Sequence, residues 1–193
     1  MSKARLEAFS DGVFAVAITL LVLEIAVPGE HGDLPHHVGQ LWPSFAGYVV
    51  SFATIGIIWV NHHTMVYRFA RLDRATLFLN LNLLLWVVLI PWSTALIAEH
   101  LRDTGTDEHF AASVYAGNFF VMGLSFFALW RHAGRARLMD VEPQAMRQLI
   151  RRNAVGQAAY LVAMGVAWVS AEAALIICGL VAAYYIHPGP FRL

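Results

Sequence analysis

The chain has 193 residues, of which 59% are hydrophobic and only 13% charged, with zero net charge and a mean hydropathy of +0.59. An ordinary soluble domain carries about a quarter charged residues, so this composition excludes a conventional soluble enzyme, and the neutral balance offers nothing to a nucleic acid. The single cysteine, Cys178, excludes an intrachain disulfide and any multi-cysteine metal site.

A helix needs about 20 apolar residues to cross the hydrocarbon core, and six stretches are candidates for one all-helical membrane domain. The first, 3–27, is ended by Pro28-Gly29; it lacks a small-residue cleavage motif and is read as a retained helix rather than a signal peptide. The second, 38–66, holds no Asp, Glu, Lys or Arg, and the third, 75–98, contains Pro91. The fourth is 110–130. The fifth, 143–169, begins with Arg147, Arg151 and Arg152, which place its first turns outside the core, and the sixth is the short run 173–186.

Charge sets the orientation. With six spans, twelve of the thirteen Lys and Arg residues fall on one side: Lys3 and Arg5, then Arg68, Arg71 and Arg74, then the six arginines from Arg131 to Arg152, then Arg192. Only Arg102 lies opposite, among Glu30, Asp33, Glu99, Asp103, Asp107, Glu108 and Glu172. The positive-inside rule then puts both termini in the cytoplasm. Trp42, Trp92 and Trp168 near the outer ends, with Tyr67 and Trp130 near the inner ends, fit interfacial belts.

Polar side chains at membrane depth are costly and mark candidate sites. Asp11 lies six residues beyond Arg5, roughly 9 Å deeper and well rotated from it around the helix, so it needs partners from other helices. Counting from the helix ends puts Trp59, Asn61, His62 and His63 of the second helix, and Asn80 and Asn82 of the third, at its level, with Ser10 alongside. A network that holds three helices together is one reading of this cluster; a proton relay through Asp11 with His62 or His63, as in a proton-coupled secondary transporter, is another. Adjacent histidines point about 100° apart, which disfavours a metal site, and Ser10 near a histidine is too little for a catalytic centre. No cofactor is expected.

The first helix has no preferred apolar face, yet Phe9, Val16, Thr19, Leu20, Leu23 and Val27 share a stripe at three- and four-residue spacing. By itself such a stripe is more often packing than a pore lining, and a lone Thr19 is expected to bond the carbonyl of Ala15.

The segment Arg5-Leu6-Glu7-Ala8-Phe9-Ser10-Asp11 has the pattern RxxxFSD and is followed by Gly12-Val13-Phe14-Ala15-Val16-Ala17-Ile18-Thr19-Leu20-Leu21-Val22-Leu23-Glu24-Ile25. It resembles the signature first helix of the transmembrane protein 175 family, whose animal members are endosomal and lysosomal potassium channels and whose bacterial members are six-helix proteins that assemble as tetramers. The resemblance implies a homotetramer in the bacterial plasma membrane, with lipid and potassium ions as partners. It implies a potassium-selective, weakly sodium-excluding pore lined by the first helix, and no TVGYG-like run occurs to build a carbonyl filter. Alignment of the motif places the hydrophobic constriction on Val16, Leu20 and Leu23, and the selectivity threonine on Thr19. Val16 is one methylene smaller than the Ile or Leu often found in relatives. Glu24 falls near the outer mouth, as a cation-enriching ring or simply a solvated helix end. Trp59, His62 and Asn80 are the expected partners of the Phe9-Ser10-Asp11 segment.

Overall fold

The computed structural model describes residues 2–28, 33–101, 105–139 and 141–187; Glu30, Arg102, Asp103 and Arg192 of the charge pattern lie outside them. The described residues are all helical, with no strand beyond an isolated antiparallel bridge between Phe69 and Met139. The helices are α1 (Lys3–Leu20), α2 (Leu34–Gln40), α3 (Trp42–Tyr67), α4 (Arg74–Val88), α5 (Ile90–His100), α6 (Thr106–Arg135), α7 (Pro143–Val166) and α8 (Ala171–Ile186).

Their ends differ from the sequence expectation for local reasons. The first helix tightens into a 3-10 turn at Leu21–Glu24 and stops, with Ile25 extended, rather than running on to residue 27. Closing turns often tighten in this way, and Pro28 disfavours helical backbone at the residue before it. The second stretch begins earlier and in two pieces, because Pro35 and Pro43 each open a helix, α2 and α3, at the one place where a missing N–H costs nothing. The third breaks at Leu89, where Pro91 in the first turn of α5 cannot continue the α4 ladder.

Four helical segments are long and apolar enough to cross a membrane: Lys3–Glu24, Trp42–Tyr67, Arg74–His100 and Thr106–Arg135. The last, with 30 residues and with Arg131 and Arg135 in its final turns, is about 45 Å long, longer than a hydrocarbon core of about 30 Å. The 24-residue α7 has its arginines in its first half, and α8 is an apolar helix of 16 residues.

The core is organised on α6, which packs against α4, α5, α7 and α8, while α1 lies on α3, α4 and α5. Buried Ala111, Ala112, Ala116, Ala163 and Ala174 let these helices approach closely. The rings of Phe119 and Tyr160 stack at 5.7 Å and fix α7 on α6. On the arginine-rich side, the Leu138 carbonyl accepts the backbone N–H groups of Ala70 at 2.9 Å and Arg71 at 3.4 Å, so the α3–α4 and α6–α7 connections lie against each other.

Candidate functional site: the first helix and its anchors

One face of α1 is sealed against its own subunit. Leu6, Ser10, Phe14, Ala17 and Leu21 are buried, at the three- and four-residue spacing of a single stripe. The opposite face is open: Val16 is 56% exposed, Leu23 74% and Phe9 50%, with Thr19 and Glu24 also exposed. Leu20, at the edge, is half-buried. Val27 lies beyond the helix, on extended chain, and so leaves the stripe. The Thr19 hydroxyl donates to the Val16 carbonyl at 2.8 Å, three residues back rather than to Ala15. With its proton held there, the oxygen keeps its lone pairs for another donor or a cation.

Two separate anchors fix α1 in the arginine-rich half. In the first, Trp59 Nε1 on α3 donates to Asp11 Oδ1 at 2.8 Å. In the second, Asn80 Nδ2 on α4 donates to Ser10 Oγ at 3.0 Å, and Asn80 Oδ1 lies 2.7 Å from His62 Nε2. The Ser10 hydroxyl in turn donates to the Leu6 carbonyl at 2.8 Å. Ser10, His62 and Asn80 are each at least 99% buried, so every polar atom in that chain depends on its neighbour. The Phe14 ring closes the pocket 5.3 Å from the His62 ring.

The other polar residues at this level go elsewhere. His63 Nδ1 lies 3.1 Å from Glu7 Oε1, on the outer side of the same helix pair. Asn61 donates to the carbonyls of Ile57 and Tyr185, and Asn82 to Ser125 Oγ at 2.7 Å. Neither joins Asp11. Asp11, His62 and His63 thus sit on three different partners, and among the described residues no chain of hydrogen bonds runs between them. Arg5 is exposed.

Several structural residues carry signals that the sequence reading left aside. Lys3 Nζ donates to the Tyr67 carbonyl and lies 4.8 Å from the centre of that ring, tying the start of α1 to the end of α3. Ser51 Oγ lies 2.7 Å from Thr94 Oγ1 and 3.2 Å from the Tyr115 hydroxyl, a second buried polar cluster joining α3, α5 and α6. Asp73 caps α4 by accepting from the Thr76 N–H and hydroxyl, and its carboxylate also lies 2.8 Å from His132 Nε2. The Thr76 backbone N–H holds the Asp73 carboxyl below its ordinary value of 3.8, with the Thr76 hydroxyl and His132 reinforcing it against partial desolvation. The spacing of Asp73 and Thr76 is itself a helix-start signal.

Among the described residues no group of three or more His, Cys, Asp or Glu side chains is arranged to hold a metal ion.

The profile of the family described as endosomal/lysosomal potassium channel TMEM175 matches residues 5–91, which include α1 from Arg5 onward and both of its anchors. A protein of Streptomyces collinus named as a potassium channel is 50% identical over 188 residues, covering 95% of this chain and 91% of that one. A potassium channel of Chamaesiphon minutus is 40% identical, covering 94% and 92%. The crystal structure of a lysosomal potassium-selective channel TMEM175 homolog from Chamaesiphon minutus superposes with a TM-score of 0.85 at 39% identity, over 95% of this chain and 96% of that one. A likeness that spans both chains almost end to end carries the fold as well as the first helix: this protein belongs to the TMEM175 family.

Proposed function

We propose that the protein is the subunit of a potassium-selective channel of the bacterial plasma membrane, in which four copies surround an axis lined by α1. The observation that carries this reading is the outward face of α1, where Val16, Thr19 and Leu23 are exposed on the side opposite the helix's own core. Apolar side chains aimed at neither core nor solvent need a partner in the bilayer or in another copy. The potassium channels to which the chain is similar support the second choice. In this arrangement six helices span the membrane, α7 and α8 completing the set, and both termini are cytoplasmic.

Rings of Val16, Leu20 and Leu23 narrow the path and oppose the entry of water, so an ion meets a dehydration barrier. Potassium holds its water less tightly than sodium and crosses more readily. Four Thr19 oxygens, each with its proton engaged by a Val16 carbonyl, offer lone pairs that replace part of the lost hydration. Glu24 raises the local cation concentration at the outer mouth. Asp11, Ser10, Trp59, His62 and Asn80 hold the helix at the radius this requires, with Arg5 and Phe9 at its cytoplasmic end and His63 paired to Glu7. There is no catalytic step.

The test is potassium flux from liposomes holding the purified protein. Wild type is expected to release potassium down its gradient, and Val16→Ala and Leu20→Ala to release it faster with weaker exclusion of sodium. Flux unchanged in both variants would remove the pore assignment.

A further inference from the structure

A cavity of about 780 Å³ opens between α3, α6, α7 and α8. Its walls run from the middle of these helices toward Tyr67, Arg135, Pro143 and Ile186, so it reaches toward the arginine-bearing connections. Ile57, Ile58, Phe126 and Ala182 make the wall predominantly apolar. At its end stand Arg152 and Asn153 of α7. That volume is within the range of small-ligand pockets, and it is large enough that leaving it empty would forfeit many packing contacts.

We propose that this cavity binds an anionic phospholipid from the arginine-rich leaflet, its phosphate at Arg152 and an acyl chain along Ile57, Ile58 and Phe126. Charge complementarity argues for the occupant. Basic pockets between transmembrane helices are how membrane proteins hold acidic headgroups, and Arg152 is pre-positioned for the task. Its Nη2 donates to the Tyr185 carbonyl at 3.2 Å, and its guanidinium rests over the Tyr184 and Tyr185 rings at 5.4 and 5.1 Å. A guanidinium has five N–H donors, and the Tyr184 and Tyr185 carbonyls are both met by that one nitrogen. Deeper in the wall, Gln157 Oε1 is buried with no hydrogen-bond partner. It is an acceptor that a hydroxylated headgroup or its hydration water satisfies. Trp59 also lines the cavity, which places the lipid against the indole that anchors α1. The site stands whether or not α1 lines a pore.

Native mass spectrometry of the purified protein, titrated with phosphatidylglycerol or phosphatidylcholine of matched chains, tests this without any flux measurement. Retention of phosphatidylglycerol is expected to exceed that of phosphatidylcholine about fivefold, the preference of one arginine for an anionic lipid. Arg152→Gln abolishes the preference, whereas Arg151→Gln, at an exposed neighbour outside the cavity, keeps it. Gly56→Phe supplies a second variant that leaves the guanidinium intact: nothing lies within 4 Å of a Cβ at Gly56, so the ring fills the cavity and lowers retention of both lipids. Equal retention of the two lipids by wild type, or retention unchanged in both Arg152→Gln and Gly56→Phe, overturns the proposal. So does crosslinking between copies through Gly56→Cys, which would give the cavity to a neighbouring subunit.

Discussion

Trp59 Nε1 donates to Asp11 Oδ1 at 2.8 Å, and this bond crosses from α3 to α1 over 48 residues of sequence. It ties the orientation of the first helix to a residue that also borders the lipid-sized cavity. Trp59→Phe keeps a ring and removes the donor, so a carboxylate at membrane depth loses its partner. A hydrogen bond to a charged group contributes about 1.5–3 kcal/mol, and the variant is expected to lose stability in that range in detergent. A double-mutant cycle with Asp11→Ala, which removes the acceptor, isolates the pairwise part; a coupling near zero would mean that the bond does not fasten α1.

Asn80 is the hinge of the second anchor, since it donates to Ser10 and faces His62 with its oxygen. Asn80→Leu strands His62 Nε2, and leaves Ser10 with only its bond to the Leu6 carbonyl, in a site whose members are at least 99% buried. The expected cost is about 1–3 kcal/mol, the desolvation penalty of one unsatisfied buried group, plus the lost bond to Ser10. Ser10→Ala removes one member only and should cost less. Thermal unfolding of both variants checks the order, and equal losses would contradict it.

Thr19→Val is close to isosteric and removes only the hydroxyl. In the proposed pore it leaves the width unchanged and takes away four oxygens. Potassium conduction is therefore expected to persist while the potassium-to-sodium permeability ratio falls about fivefold, the equivalent of about 1 kcal/mol. Reversal potentials in mixed salt measure this, and an unaltered ratio would free Thr19 of any role in selectivity.

Asp73 predicts an acid-sensitive helix start. Its folded pKa lies below the ordinary 3.8, so its contribution is complete above 3.8 and is lost as pH falls through the depressed folded value. Asp73→Ala should cost about 1 kcal/mol near neutrality, and the gap between wild type and variant should narrow below pH 3.8. Unfolding midpoints measured from pH 7 to pH 3 test both the size and the sign.

Two glycines on α7 separate packing from propensity. A Cβ at Gly156 would lie 2.1 Å from the Tyr185 hydroxyl and 2.8 Å from the ring carbon that bears it, whereas one at Gly165 meets nothing within 4 Å. Gly156→Ala is expected to destabilise by about 1–3 kcal/mol through overpacking, and Gly165→Ala to be neutral or stabilising by up to about 1 kcal/mol. Melting temperatures of the pair decide it.

The helical character of the chain was legible because each long apolar run must satisfy its own backbone in the bilayer. The breaks were less so. Pro91 was visible as a proline inside a span, but a proline can kink a helix or break it, and the sequence does not say which. Around α1, residue counting gives depth and places Ser10, Asp11, Trp59, His62 and Asn80 on one level. It gives no azimuth between helices, so the division of these residues into two anchors was hidden. Asn82 is the instructive case. It shares the level of Asn80 but lies two residues on, about 200° around the helix, and so turns to Ser125 instead. The Arg152 contacts with the end of α8 had no sequence signal, because they join two helices whose register only the folded bundle fixes.

The shared Leu138 carbonyl makes the α3–α4 and α6–α7 connections one mechanical unit. A displacement of α7 and α8, by whatever means, is passed to the foot of α3 through backbone rather than through side chains that mutation can delete. Insertions of flexible linker at either connection should therefore act alike, and an insertion at both should act little more than one.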